Sequence, residues 1–169
     1  RFSDLWRDLQ RRESDPTDTA WVEDVLFRYA LEENAVVLKP EIHFDNAGEA
    51  FDGEMIVLLK GEDGVCAKQY SRTVTIPSGR QILSPEPEKM AAPALWDIDH
   101  PYLYTVEMRL IKDGVEMDEV EFKTGFRTIA CRPEGFYLNG RQVKLVGLNR
   151  HQDYPYVGYA MPKRVQQRD

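Results

Sequence analysis

Cysteine is scarce in this chain. There are two, Cys66 and Cys131, far apart and outside any C-x-x-C or Cys/His ligand spacing. A disulfide framework and a structural zinc centre are thereby excluded, and a bridge between the two has no support in the sequence. Long apolar runs are absent as well: the longest, Met55 to Leu59, falls far short of the ~20 residues a spanning helix needs, so no membrane segment is expected. Positive charge is in deficit, with 22 Lys and Arg against 29 Asp and Glu and a net charge of -7. Nucleic acid and anionic membranes both require a concentrated positive field, and neither is expected as a partner. Glycine-rich phosphate loops, the G-x-S-x-G elbow and H-E-x-x-H are missing, as are internal repeats and low-complexity stretches.

What remains is a globular composition, 42% hydrophobic and 30% charged over 169 residues, enough for one domain with a remnant. The chain opens on Arg1 and closes on "MPKRVQQRD", and reads as an internal piece of a longer polypeptide. The compartment is not fixed by these residues, with a lean to the cytoplasm. Residues 1–20, with "RRESDPTDT", read as a linker or the end of a preceding unit.

Strand signals follow in series. Trp21, Val25, Phe27 and Tyr29 fall on one face of "AWVEDVLFRYAL", with Glu23 as the exception. Val36, Leu38, Ile42 and Phe44 alternate with Val37, Lys39, Glu41 and His43, the pattern of a half-buried strand, and Pro40 among them points to an edge strand or a bulge. Asp113-Gly114 predicts a type I′ hairpin between "LYTVEMRLIK" and "VEMDEVEFKT". About seven short strands between Val22 and Thr128 predict an all-β, immunoglobulin-like antiparallel sandwich over residues 21–129. The pattern then changes. After a second hairpin at Asn139-Gly140, "VKLVGL" is apolar without alternation, as in strands buried on both faces. Pro162 marks a helix start with Val165 on its inner face, so 130–169 read as a first β/α step.

Asn149, Arg150, His151 and Asp153 follow that apolar strand, where β/α barrels gather their functional groups. The competing account is an Arg150–Asp153 ion pair with His151 as a satisfied buried imidazole. Tyr154, Tyr156 and Tyr159 suit either sugar stacking or plain packing under a loop. Trp96 is expected in the core beneath a loop, and His43 and His100 have no partner at triad or metal spacing. Acidic pairs such as Glu119 with Glu121, on a strand's polar face, and Glu86 with Glu88, in a proline-rich loop, read as solvated. No complete catalytic set is present.

Three ordered motifs carry a resemblance: Trp96 followed by Pro101-x-Leu103-Tyr104; Gly125-Phe126-Arg127; and Phe136-x-Leu138-Asn139-Gly140 leading to Gly147-Leu148-Asn149-Arg150-His151. Together they resemble the β-galactosidase and β-glucuronidase type of family 2 glycoside hydrolases, strongly from Trp96 onward and in strand layout before it. The resemblance implies that residues 1–20 leave a jelly-roll sugar-binding domain and that 130–169 begin a truncated (β/α)₈ catalytic barrel. It implies a parent enzyme that hydrolyses terminal β-linked sugars with retention. Both catalytic glutamates of the family lie on later barrel strands, so no catalytic residue is expected in this chain, and it should be inert alone. Asn149, Arg150, His151, Asp153 and Tyr154 would form the substrate-site rim of the whole enzyme. Carbohydrate would be a ligand of that enzyme only, and a homo-oligomer is compatible. Magnesium or sodium belongs to some relatives, but no cofactor or metal ligand set is identifiable here. Family β-galactosidases often have histidine at the position of Tyr154, which leaves galactoside preference open. Arginine at 150, where glucuronidase-like members carry lysine, leans to the galactosidase side. The alternative is a non-catalytic immunoglobulin-like module that binds carbohydrate or mediates assembly, using an aromatic platform such as Tyr70 or Tyr102.

Overall fold

The computed structural model describes residues 19–147, 149, 158, 160 and 162–168. Eight strands build the sandwich: β1 (Ala20–Glu32), β2 (Ala35–Asn46), β3 (Phe51–Lys60), β4 (Cys66–Ile76), β5 (Gly79–Leu83), β6 (Glu88–Ala91), β7 (Tyr104–Lys112) and β8 (Val115–Thr124). One sheet has β1 beside β2, with β5 and β6 sharing the other side of β2; the second runs β4-β3-β7-β8. Every pairing among these strands is antiparallel. A smaller sheet, β11-β10-β9, follows from β9 (Ile129–Arg132), β10 (Gly135–Leu138) and β11 (Arg141–Val143). The short helix α1 (Lys163–Arg168) begins directly after Pro162, where the sequence places a helix start; the side chain of Val165 lies outside what is described.

Two-residue periodicity fills the space between the sheets. Val36, Leu38, Ile42 and Phe44 of β2 meet Met55, Val57 and Leu59 of β3 and Val106, Met108 and Leu110 of β7, none of them more than 1% exposed. Each such side chain contributes about 1.5–3 kcal/mol of gross burial energy, so this cluster is the main stabilising term of the fold. The hairpin between β7 and β8 turns at Asp113 and Gly114 with φ of 51° and 79°, the paired left-handed conformation of a type I′ turn.

Three strand expectations need correction. In β1 the register against β2 slips between Val22 and Asp24, which makes Glu23 the extra residue of a bulge. The inward set is therefore Val22, Val25, Phe27, Tyr29 and Leu31. Trp21 falls opposite Asp45 on the other face, and its indole N–H has no hydrogen-bond partner among the described residues. Pro40 marks neither an edge nor a bulge. It sits in an internal strand at the interval that neither β6, paired with 35–38, nor β5, paired with 42–46, covers. A residue without an N–H is tolerated where the ladder is already interrupted. Finally, Glu88 opens β6 instead of lying in a solvated loop.

Both open sides of the sandwich are closed by polar clasps between sheets. On one, the Val22 N–H donates to Asp118 Oδ2 at 2.7 Å, beside the edge-to-face pair Phe27–Phe122. On the other, Glu88 accepts from Lys68 Nζ at 2.6 Å and from Arg72, both on β4. Tyr70 lies between those two cations in sequence and is buried, with no partner for its hydroxyl among the described residues. Burial first, then the neighbouring Glu88 carboxylate, pushes its pKa up to about 12, against the opposing Arg72 charge. The hydrogen bond from Lys68 above all, with that from Arg72, holds the Glu88 carboxyl below the usual glutamate range. A depressed folded-state pKa means stabilisation that is complete above the unfolded value near 4.5 and lost as pH falls through the folded value. Glu88→Gln should therefore cost about 1 kcal/mol at pH 7 and close to nothing at the acid limit. Urea denaturation of both forms across pH 7 to 3 checks this, and a gap that does not narrow with acid would refute it.

Candidate functional site

The residues that follow the sandwich converge on one braced junction. After β8 the chain needs a close approach, and Gly125 supplies it: a Cβ there would stand 3.0 Å from Trp96 Cβ and 3.1 Å from Leu103 Cδ2. Phe126 then drops into the core, fully buried, edge-to-face with Tyr29 at 5.0 Å and tilted against Tyr104 at 5.1 Å. Its carbonyl accepts from the Trp96 N–H at 2.9 Å. The Tyr29 hydroxyl donates between Gly125 O (3.2 Å) and Arg127 O (3.1 Å) and accepts from the Arg127 N–H at 3.0 Å. Arg127 lays its guanidinium over the Trp96 ring, 4.7 Å from the centroid. Trp96 is thus a half-buried platform at the end of the sandwich and not the core residue its sequence context predicts. Polar backbone at a strand exit must find partners, and here aromatic residues hold the loop close enough to supply them.

The second hairpin is tied to the same loop. Asn139 and Gly140 have φ of 50° and 77°, the type I′ turn read from the sequence. Asn139 also spends its carboxamide on both sides: Nδ2 donates to Trp96 O at 2.9 Å and Oδ1 accepts from the Thr128 N–H at 3.0 Å. Its own N–H donates to Thr128 O at 3.0 Å. Beside it, Arg141 reaches Asp97 Oδ1 at 3.0 Å and Asp99 Oδ2 at 3.3 Å. The Asp99 N–H above all, with the Arg141 charge, holds the Asp97 carboxyl below the usual aspartate range, against burial. Tyr104 Oη accepts from the Ala94 N–H at 2.8 Å and packs its ring on Tyr102. The chemistry of this arrangement is orientation. It holds the β9–β11 sheet against the sandwich and presents no nucleophile with a matched base.

Of the predicted rim, Asn149 is described, exposed and in neither helix nor strand. Arg150, His151, Asp153 and Tyr154 lie outside the described residues. At "VKLVGL", the segment expected to open the barrel, β11 ends at Val143 and 144–147 form no strand, while Leu148 lies outside the described residues. Leu145 and Val146 are 70% and 86% exposed. A strand exists through its ladder, and among the described residues no neighbour lies alongside this segment. A wide hollow of about 560 Å³ adjoins it, lined by Glu134–Phe136 and Gln142–Leu145, without convergent titratable groups. Among the described residues, no three His, Cys, Asp or Glu side chains are grouped so as to hold a metal ion. Cys66 and Cys131 are free and exposed. Sequence reasoning missed the clamping role of the Tyr29 hydroxyl and the Arg141 fork. The only available signal for the latter was an arginine one residue past an Asn-Gly turn, facing an Asp-x-Asp loop.

Fold and junction together define an immunoglobulin-like β-sandwich domain with a braced C-terminal exit. The model of the glycosyl hydrolases family 2 matches residues 20–127, and the chain belongs to that family. It is 43% identical over 122 residues to a β-galactosidase of Thermoanaerobacter pseudethanolicus, covering 72% of this chain and 16% of that protein. Against a β-galactosidase of Rhizobium meliloti, identity is 31% over 168 residues, 95% of this chain and 20% of the relative. Among solved structures it resembles the β-glucuronidase of Parabacteroides merdae, with a TM-score of 0.68 and 27% identity, over 89% of this chain and 19% of that one. The chain thus spans a fifth or less of the length of these relatives.

Proposed function

We propose that this chain is the sandwich domain and barrel entry of a retaining β-glycosidase that cleaves terminal β-linked sugars, with β-galactosides as the first choice of substrate. The observation that carries the reading is the convergence of the motif residues Trp96, Gly125, Phe126, Arg127 and Asn139 on one brace at the sandwich exit. Similarity to named β-galactosidases over most of the chain supports the sugar class, and arginine at 150 points the same way. In the whole enzyme two carboxyl groups ~5–5.5 Å apart would act as nucleophile and acid/base, both from outside this chain. Asn149, Arg150 and His151 would organise the rim beside the sugar, with Asp153 and Tyr154 within reach of it. A free-standing carbohydrate-binding module is disfavoured, since Tyr70 is buried and Tyr102 is half-buried against Tyr104, so neither offers an open sugar platform.

The full-length enzyme should hydrolyse aryl β-galactosides faster than aryl β-glucuronides. Arg150→Ala and His151→Ala should each lower its kcat/KM by about tenfold or more, the scale of losing a donor that positions a reacting group. Wild-type turnover in both variants would remove these residues from the site. Titration of the present chain with galactose or lactose should give no binding heat.

A further inference from the structure

We propose that Asn139 is a positioning residue: its carboxamide fixes where the chain leaves the sandwich, and so sets the placement of the segment that reaches Asn149 ten residues on. This rests on the rim reading above. A type I′ turn explains a left-handed residue at 139, and glycine or aspartate would satisfy it equally well. The turn does not explain why both ends of one carboxamide are used across the chain, on Trp96 O and on the Thr128 N–H, 43 and 11 residues away in sequence. Only asparagine both donates and accepts there while holding φ at +50°. Trp96 is itself fixed, bonded to Phe126 O and capped by Arg127, so the bond from Asn139 ends on a rigid anchor. Arg141 adds a second tie two residues later, to Asp97 and Asp99 of the same loop. Beyond β11, residues 144–147 pair with no strand among the described residues, and within this chain their course follows from the point and direction at which the hairpin releases them.

The variants Asn139→Gly and Asn139→Asp separate turn from brace. Glycine keeps the turn and loses both side-chain bonds; aspartate keeps the acceptor for Thr128 and loses the donor to Trp96. In the full-length enzyme, kcat per titrated active site should fall roughly ten- to a hundredfold with glycine and less with aspartate, while KM stays within about threefold. In the present chain, exchange of the hydrogen-bonded amides of Thr128 and of the β9–β11 sheet should speed up in the same order, with β3 and β7 unchanged. Unaltered exchange in both variants would overturn the placement role, whatever the enzyme does. Altered exchange with full kcat per site would overturn its catalytic consequence. An unmodified full-length enzyme inactive on every aryl β-glycoside would sink the glycosidase reading instead, with the exchange result still deciding for or against Asn139 as the fixing residue.

Discussion

Asn46→Asp, a change of one amide for one oxygen, should destabilise the chain by about 3 kcal/mol or more at pH 7, and by more than Asn46→Ala. Asn46 closes β2 and is 1% exposed. Its Nδ2 donates toward Glu49 O at 3.0 Å, Pro77 O at 3.2 Å and Ile76 O at 3.4 Å, while Oδ1 accepts from the Gly48 N–H at 2.9 Å. This amide joins the turn after β2 to the end of β4, and so stitches the two sheets at one end. An aspartate would keep the Gly48 bond and turn a buried anion toward three carbonyl oxygens. Alanine would leave those carbonyls short of a donor, about 1–3 kcal/mol, but would bury no charge. The two accounts separate by pH. Burial and the carbonyls would raise the aspartate pKa above its unfolded value near 3.9, so the penalty is full above the raised value and shrinks as pH falls through it. Urea midpoints of variant and parent, compared at each pH from 7 to 4, should converge for aspartate and stay parallel for alanine. A pH-independent gap below ~1 kcal/mol for aspartate would mean the amide's donors are dispensable.

That buried amide also marks where the sequence stops being legible. Alternation exposes Val36, Leu38, Ile42 and Phe44 because burial repeats every second residue, and Asp113-Gly114 and Asn139-Gly140 are legible because few residue pairs accept two consecutive positive φ angles. Family membership was readable too, from ordered motifs of which Trp96, Gly125–Arg127 and Asn139 share one junction. The β1 bulge was not, since a one-residue insertion at Glu23 shifts Trp21 to the outer face without changing composition. β5 and β6 are too short, and too broken by Pro85 and Pro87, to show a period. Asn46, Glu88 and Asn139 look like ordinary polar residues in one dimension. Their roles depend on partners 30, 20 and 43 residues away, a relation that only the fold creates. For the rim the limit is different. "VKLVGL" carries the composition of a strand buried on both faces, and composition states what a segment needs, not whether its neighbours are there to supply it.

Phe126→Ala carries the other large effect, because it removes a core residue and loosens the junction together. Phe126 is fully buried, and truncating such a ring costs about 3–5 kcal/mol in lost transfer energy and residual cavity. Its contacts with Tyr29 and Tyr104 add the orientation-dependent part of aromatic packing, about 0.5–1.5 kcal/mol per pair. Released from that ring, Tyr29 would also hold less firmly the hydroxyl bonds to Gly125 and Arg127 that fix the exit strand. Urea denaturation should therefore show a loss near the upper end of the range with the m-value preserved, and the melting temperature should drop by roughly 10 °C or more. Phe126→Leu, which refills most of the space, should lose about half as much. Tyr29→Phe deletes only the hydroxyl and should cost about 1 kcal/mol. If the ring positions the hydroxyl, the double variant of Tyr29→Phe with Phe126→Ala should cost less than the sum of the single ones, since the bonds removed by the first are already weakened by the second. Strict additivity would show that core packing and exit clamp act independently, and the sandwich would then be a spacer at this end, with the brace resting on Asn139 and Arg141 alone.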